Sequence, residues 1–145
     1  MTDVSRSIRL EASAADVWAL IGPFDSMTSW HPAVLDSVLG SEDGRMVRRL
    51  LVVGGIRVTE VLLHHDDHDR HYRYAIADGG RLPVVEFTAT LRVKEDSSDA
   101  CEVVWSSTFM PAGAPDDVAA EAISGIFDAG LNALEDRFRQ GDSAT

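Results

Sequence analysis

The sequence holds a single cysteine, Cys101, which excludes an internal disulfide framework and any cysteine-rich zinc site. A reducing compartment, the cytoplasm, is the expected setting. Basic residues are scarce: 13 Lys and Arg stand against 24 Asp and Glu, a formal net charge of −11. A surface of that sign repels phosphate backbones and anionic headgroups, so nucleic acid is not an expected partner. No apolar run approaches the ~18 residues of a membrane span, and Met1 to Arg6 lacks the basic-then-apolar plan of a secretory leader. Stable membrane insertion is therefore not expected. Also missing are a phosphate loop, a dinucleotide fingerprint and a Ser-His-Asp arrangement in its required context, so no cofactor is expected.

What is present is 145 residues, 45% of them hydrophobic, which suits one packed domain with an ordered core from about residue 4 to 140. Val4 to Leu10 alternates as a half-buried strand. Ser13 and Asp16 form a capping pair ahead of a short helix that carries Val17, Trp18, Leu20 and Ile21 and stops at Gly22-Pro23. A second short helix is expected within Phe24 to Trp30, ended by Pro32. Six strand signals follow: 34–39, 46–53, 56–65, 71–77, 84–94 and 101–110. The turns between them are short, so consecutive strands pair antiparallel, and the first strand brings the sheet to seven. The last element is an amphipathic helix from about Pro115 to Gln140, capped by Gly141, with Val118, Ala122, Ile126, Phe127, Leu131, Leu134 and Phe138 at helical spacing. Gly125 and Gly130 inside it each cost about 1 kcal/mol relative to alanine, so room for a guest or close packing on a strand should offset them.

This order, together with Asp16-Val17-Trp18-Ala19-Leu20-Ile21, Phe24 and Trp30-His31-Pro32-Ala33-Val34, resembles the START-like (SRPBCC) superfamily. That superfamily includes polyketide cyclases and dehydrases, lipid-transfer domains, the birch-pollen-allergen type and the plant abscisic-acid receptors. Gly54-Gly55-Ile56, Gly79-Gly80-Arg81-Leu82-Pro83 and Met110-Pro111-Ala112-Gly113 are similar to the receptors' gate, latch and approach to the last helix. The resemblance implies an α+β helix-grip fold: a curved seven-stranded antiparallel sheet wrapped around the C-terminal helix, with an elongated cavity between them. Such domains are often monomers or weak homodimers.

Strand alternation assigns candidate cavity residues. Ile56, Val58, Glu60, Leu62 and His64 share one face, and a five-residue turn from Asp66 to Arg70 sets Leu62 opposite Tyr74 and Glu60 opposite Ile76, with Tyr72 on the same side. Val85, Phe87, Ala89 and Leu91 alternate in the next strand, placing Phe87 and Ala89 inward. Trp105 faces inward on apolar pattern, whereas the receptor likeness favours Val104. The resemblance adds Ala122, Ile126, Phe127 and Gly130 from the helix, Leu82 from the latch, Phe24, and Trp30 as a wall of the mouth.

Glu60 stands out as a carboxylate on an otherwise apolar face. Burial would raise its pKa and make it an anchor for a polar group or, with His64 or a tyrosine, a general base for cyclisation. Pairing with a neighbouring arginine is the structural alternative. The run His64-His65-Asp66-Asp67-His68-Asp69-Arg70-His71 invites a metal, but adjacent strand residues face opposite ways, and no metal is expected. The sequence thus points to binding of a small hydrophobic or aromatic ligand such as a polyketide, isoprenoid or lipid. A cyclase or dehydratase, or an interaction or chaperone module, remain alternatives, since this fold hosts many functions.

Overall fold

A computed structural model describes residues 1–139. The elements run β1 (Thr2–Leu10), α1 (Ala14–Ile21), α2 (Met27–Trp30), β2 (Val34–Glu42), β3 (Arg45–Val52), β4 (Ile56–Asp66), β5 (His71–Asp78), β6 (Val84–Ser97), β7 (Ala100–Pro111) and α3 (Asp116–Arg137). They match the expected order. The predicted end of the last helix at Gln140 and its cap at Gly141 lie outside the described residues.

The strands form one antiparallel sheet in the order β1-β7-β6-β5-β4-β3-β2. The first strand reaches the far edge by pairing with the last, Thr2 against Phe109 through Leu10 against Cys101. At the start of α1, Ser13 Oγ accepts from the Asp16 amide at 3.1 Å, satisfying one of the free donors at the helix start. α3 lies across the inner face of the sheet, where Phe127 stacks on Trp105 with ring centroids 4.3 Å apart. Phe127, Ile123, Leu131 and Leu134 belong to the same buried core cluster as Val103, Trp105 and Phe109.

Two departures from strict alternation decide which side chains turn inward. In β4, Leu62 pairs with Tyr74 but His64 pairs with Arg73, so Leu63 is an extra residue. Such a bulge reverses the facing of everything after it. In β6, the register shifts between Val85 and Thr88, and Glu86 takes φ of 52°. Val85 is consequently exposed, whereas Phe87, Ala89 and Leu91 remain buried.

Candidate functional site

A cavity of about 290 Å³ lies between the sheet and α3. Leu50 and Val52 of β3, Ile56 and Val58 of β4, and Trp105 of β7 make its sheet wall. Ala122 and Ile126 line it from α3, Met27, His31, Ala33 and Val34 from α2 to the start of β2, and Leu82 from the β5–β6 loop. Glu60, Tyr74, His31 and Trp105 are the polar side chains of a lining that is otherwise hydrocarbon.

Glu60 is anchored from behind by Arg48, its direct partner in the β3–β4 register. Arg48 Nε donates to Glu60 Oε1 at 2.8 Å, and Nη2 lies 2.7 Å from the same oxygen. Nη1 donates to the Phe24 carbonyl at 2.9 Å and to the Tyr72 hydroxyl at 3.1 Å. The guanidinium also lies 4.1 Å from the Phe24 ring centroid and 4.9 Å from that of Tyr74, which supplies cation–π attraction. Arg48 is fully buried and does not line the cavity. Burial pushes the Glu60 carboxyl above its ordinary value, with the Arg48 charge pulling the other way. Burial alone would lower Arg48, but Tyr72 and Glu60 more than offset it and hold the guanidinium above its ordinary range. The pair is a desolvated arginine and carboxylate joined through one oxygen, with Arg48 Nη2 close to Oε1 but lacking a well-aligned hydrogen bond.

The nitrogens of His31 and Trp105, which also line the cavity, are spent on protein partners. The Ala33 amide donates to His31 Nδ1 at 3.1 Å, which fixes that nitrogen as the acceptor and leaves Nε2–H to donate to the Ile126 carbonyl at 2.8 Å. Burial, the largest influence, lowers the His31 pKa and so keeps this neutral form. Trp105 Nε1 donates to the Tyr74 hydroxyl at 3.0 Å. Burial raises the Tyr74 phenol well above its ordinary pKa, so it stays protonated.

Of the predicted cavity residues, Glu60, Tyr74, Leu82, Trp105, Ala122 and Ile126 line this space. Phe24 and Tyr72 sit behind it against Arg48. Leu62 and Ile76 are partly buried against the core, and Phe87, Ala89 and Phe127 are buried within it. Trp30 packs on Trp105, ring centroids 5.7 Å apart. Gly130 offers no room to a guest: a Cβ there would stand 2.7 Å from His31 Cδ2 and 3.0 Å from both the Trp30 and Trp105 rings. Its role is close approach of aromatic side chains to the helix. Trp105 faces inward and is buried, whereas Val104 is only partly covered on the opposite face.

His64 is the main correction. The Leu63 bulge turns it to the exposed outer face, where its ring lies 5.3 Å from that of His71. His65 points inward instead, stacking on Tyr72 and donating from Nε2 to the Gly22 carbonyl at 2.8 Å. The aspartates beside it shape the turn, as Asp66 Oδ1 accepts from the His68 and Asp69 amides at 2.9 Å. Among the described residues no group of three or more His, Cys, Asp or Glu converges as a metal site.

Sequence reading missed Arg48. A charged residue within Arg45-Met46-Val47-Arg48-Arg49 reads as solvated, yet counting back from the Val53–Gly55 turn sets Arg48 opposite Glu60. At the mouth, Arg81 Nη2 donates to the Gly54 carbonyl at 3.0 Å and ties the two glycine loops together. Gly80 adopts φ of 57° with its α-carbon against Arg57, where a Cβ would come within 2.5 Å of the Arg57 carbonyl oxygen.

A curved antiparallel sheet gripping one long helix over a mostly hydrocarbon cavity defines the helix-grip fold, and solved structures share it. A START superfamily protein from Mycobacterium smegmatis matches with a TM-score of 0.77 at 13% identity over 95% of this chain and 97% of its own. The Zhui aromatase/cyclase from a Streptomyces species matches with a TM-score of 0.77 at 20% identity over 96% and 94%. The protein XoxI from Bacillus cereus is more similar, with a TM-score of 0.91 and 35% identity over 98% and 99%. No protein of curated function matches. The family model "Polyketide cyclase / dehydrase and lipid transport" matches residues 1–139, and the chain belongs to that family. Among the described residues no helix is long and apolar enough to cross a membrane.

Proposed function

We propose that this chain encloses a small, largely apolar guest between its sheet and α3, with Glu60 and Tyr74 contacting the guest's polar end. The observation that carries this reading is the composition of the cavity wall, hydrocarbon throughout except for a few convergent polar groups, as ligand pockets generally are. At about 290 Å³ the cavity is at the small end of the range for ligand pockets, roughly 300–1,000 Å³, which favours a compact ring system or short isoprenoid over a long acyl chain. The test is native mass spectrometry of the purified protein alongside Ala122→Trp. A co-purified small molecule that the variant lacks is the expected result, with both proteins folded. An apolar probe bound equally by wild type and Ala122→Trp would overturn the reading.

A second reading, a cyclase or dehydratase, is favoured by Glu60 itself. It is a buried carboxylate of raised pKa at the cavity wall, suited to moving a proton to and from a guest. Tyr74 supports it as the partner, since His64 faces away. Turnover of an aromatic polyketide precursor that falls at least about 100-fold in Glu60→Gln would establish this role.

A further inference from the structure

The cavity wall carries a specific pattern of unused hydrogen-bonding capacity. Among the described residues, the protein's contacts to the Glu60 carboxylate all go to Oε1, from Arg48, and none goes to Oε2. Among the described residues the Tyr74 hydroxyl accepts from Trp105 and donates to no other group, which leaves its proton for a guest. His31 and Trp105, the other polar lining side chains, have their nitrogens engaged. Glu60 and Tyr74 are diagonal neighbours on one face, because Glu60 pairs with Ile76 and Tyr74 with Leu62. The wall therefore offers one acceptor and one donor side by side.

The charge balance is equally specific. Arg48 cancels the Glu60 charge but is sealed behind it, with Nη1 committed to Phe24 and Tyr72. A guest meets the carboxylate and not the guanidinium. A second carboxylate would face Glu60 with a single phenol donor and no accessible cation, and burying it so is unfavourable. An ammonium would leave a net positive charge in the same apolar space.

Resting on the reading of this cavity as a binding site, we propose that it selects an uncharged guest bearing a hydroxyl, which donates to Glu60 Oε2 and accepts from Tyr74, and discriminates against the carboxylate of the same shape. The discrimination belongs to Arg48 as much as to Glu60, since it is the arginine's withdrawal that leaves the cavity without a positive pole.

The experiment compares naphthalene, 2-naphthol and 2-naphthoate at pH 7, where the naphthol is neutral, following the Trp105 indole N–H and the Ile126 methyls by NMR. The naphthol should bind at least about tenfold tighter than the naphthoate, the worth of one hydrogen bond to a charged group. In Glu60→Gln the carboxylate is gone and Arg48 is uncompensated, so the preference should narrow or reverse in favour of naphthoate. Tyr74→Phe, which keeps the ion pair, should weaken naphthol about fivefold and leave naphthalene unchanged, and it serves if Glu60→Gln does not fold. Wild-type naphthoate binding as tight as naphthol, with the cavity resonances shifting, overturns the selectivity and leaves the binding site standing. No shift of those resonances with any of the three overturns the binding reading and the selectivity with it.

Discussion

Arg48 and Glu60 face each other directly across the β3–β4 ladder, both buried, with two guanidinium nitrogens on one carboxylate oxygen. Their stability relation is asymmetric. Removing one partner strands a desolvated charge, whereas removing both leaves hydrocarbon. Glu60→Ala should therefore lower unfolding free energy by about 3–5 kcal/mol, and Arg48→Met combined with Glu60→Leu should recover most of that loss. Urea unfolding of the three variants checks this, and additive losses in the double variant would rule out the coupling.

The two helix glycines should respond with opposite signs. Gly130→Ala drives a methyl into His31, Trp30 and Trp105 and should cost about 1–3 kcal/mol. A Cβ at Gly125 meets nothing within 4 Å, so Gly125→Ala should stabilise by about 1 kcal/mol through helix propensity alone. Paired thermal melts suffice.

Cys101 is fully buried at the start of β7, and burial pushes its thiol up to about 11. Iodoacetamide at pH 8 should leave the native protein unmodified and label it completely in urea, as mass spectrometry would read. Rapid native labelling would mean that the end of the sheet opens locally.

His31 should hold its neutral Nε2–H form below the pH at which a free histidine titrates. Because the folded pKa is depressed, both states are neutral above about 6.5, and below it only the unfolded chain takes the proton. Its contribution is therefore lost as pH falls below about 6.5 toward the depressed folded value. The raised pKa of Glu60 acts with the opposite sign: its contribution is complete below about 4.5, the ordinary carboxyl value, and lost as pH rises through the folded value. Residue-specific imidazole shifts, rather than the melting temperature, isolate His31. A His31 titration at the ordinary value would contradict its burial.

The two histidines at the end of β4 separate packing from exposure. His65→Ala loses the contact to Gly22 and the stack on Tyr72 and should cost about 1–2 kcal/mol, whereas His64→Ala on the outer face should stay within about 0.5 kcal/mol. Equal effects would argue against the Leu63 bulge.

Much of this architecture is legible in residue patterns. Turn residues and period-two alternation are local signals, so strand order and the pairing of Leu62 with Tyr74 and Glu60 with Ile76 follow from them. The inward turn of Trp105 follows equally from the apolar pattern of β7. Arg48 did not show itself, because burying an arginine depends on partners distant in sequence, here Phe24, Glu60 and Tyr72. His64 was misplaced for a different reason: a bulge adds one residue without any obligatory glycine or proline to mark it, and Leu63 looks like any strand residue. Gly130 is half legible. Its cost in a helix announces a constraint, but whether empty space or an indole fills the gap depends on tertiary packing.

The Leu63 bulge has a hereditary consequence. Along β4 the sensitive positions are even-numbered through Leu62, and beyond it the inward place passes to His65. Substitution tolerance along the strand should thus change parity once, at residue 63. A relative that lost that one residue would have to exchange the chemical character of every later position in the strand to keep the same fold.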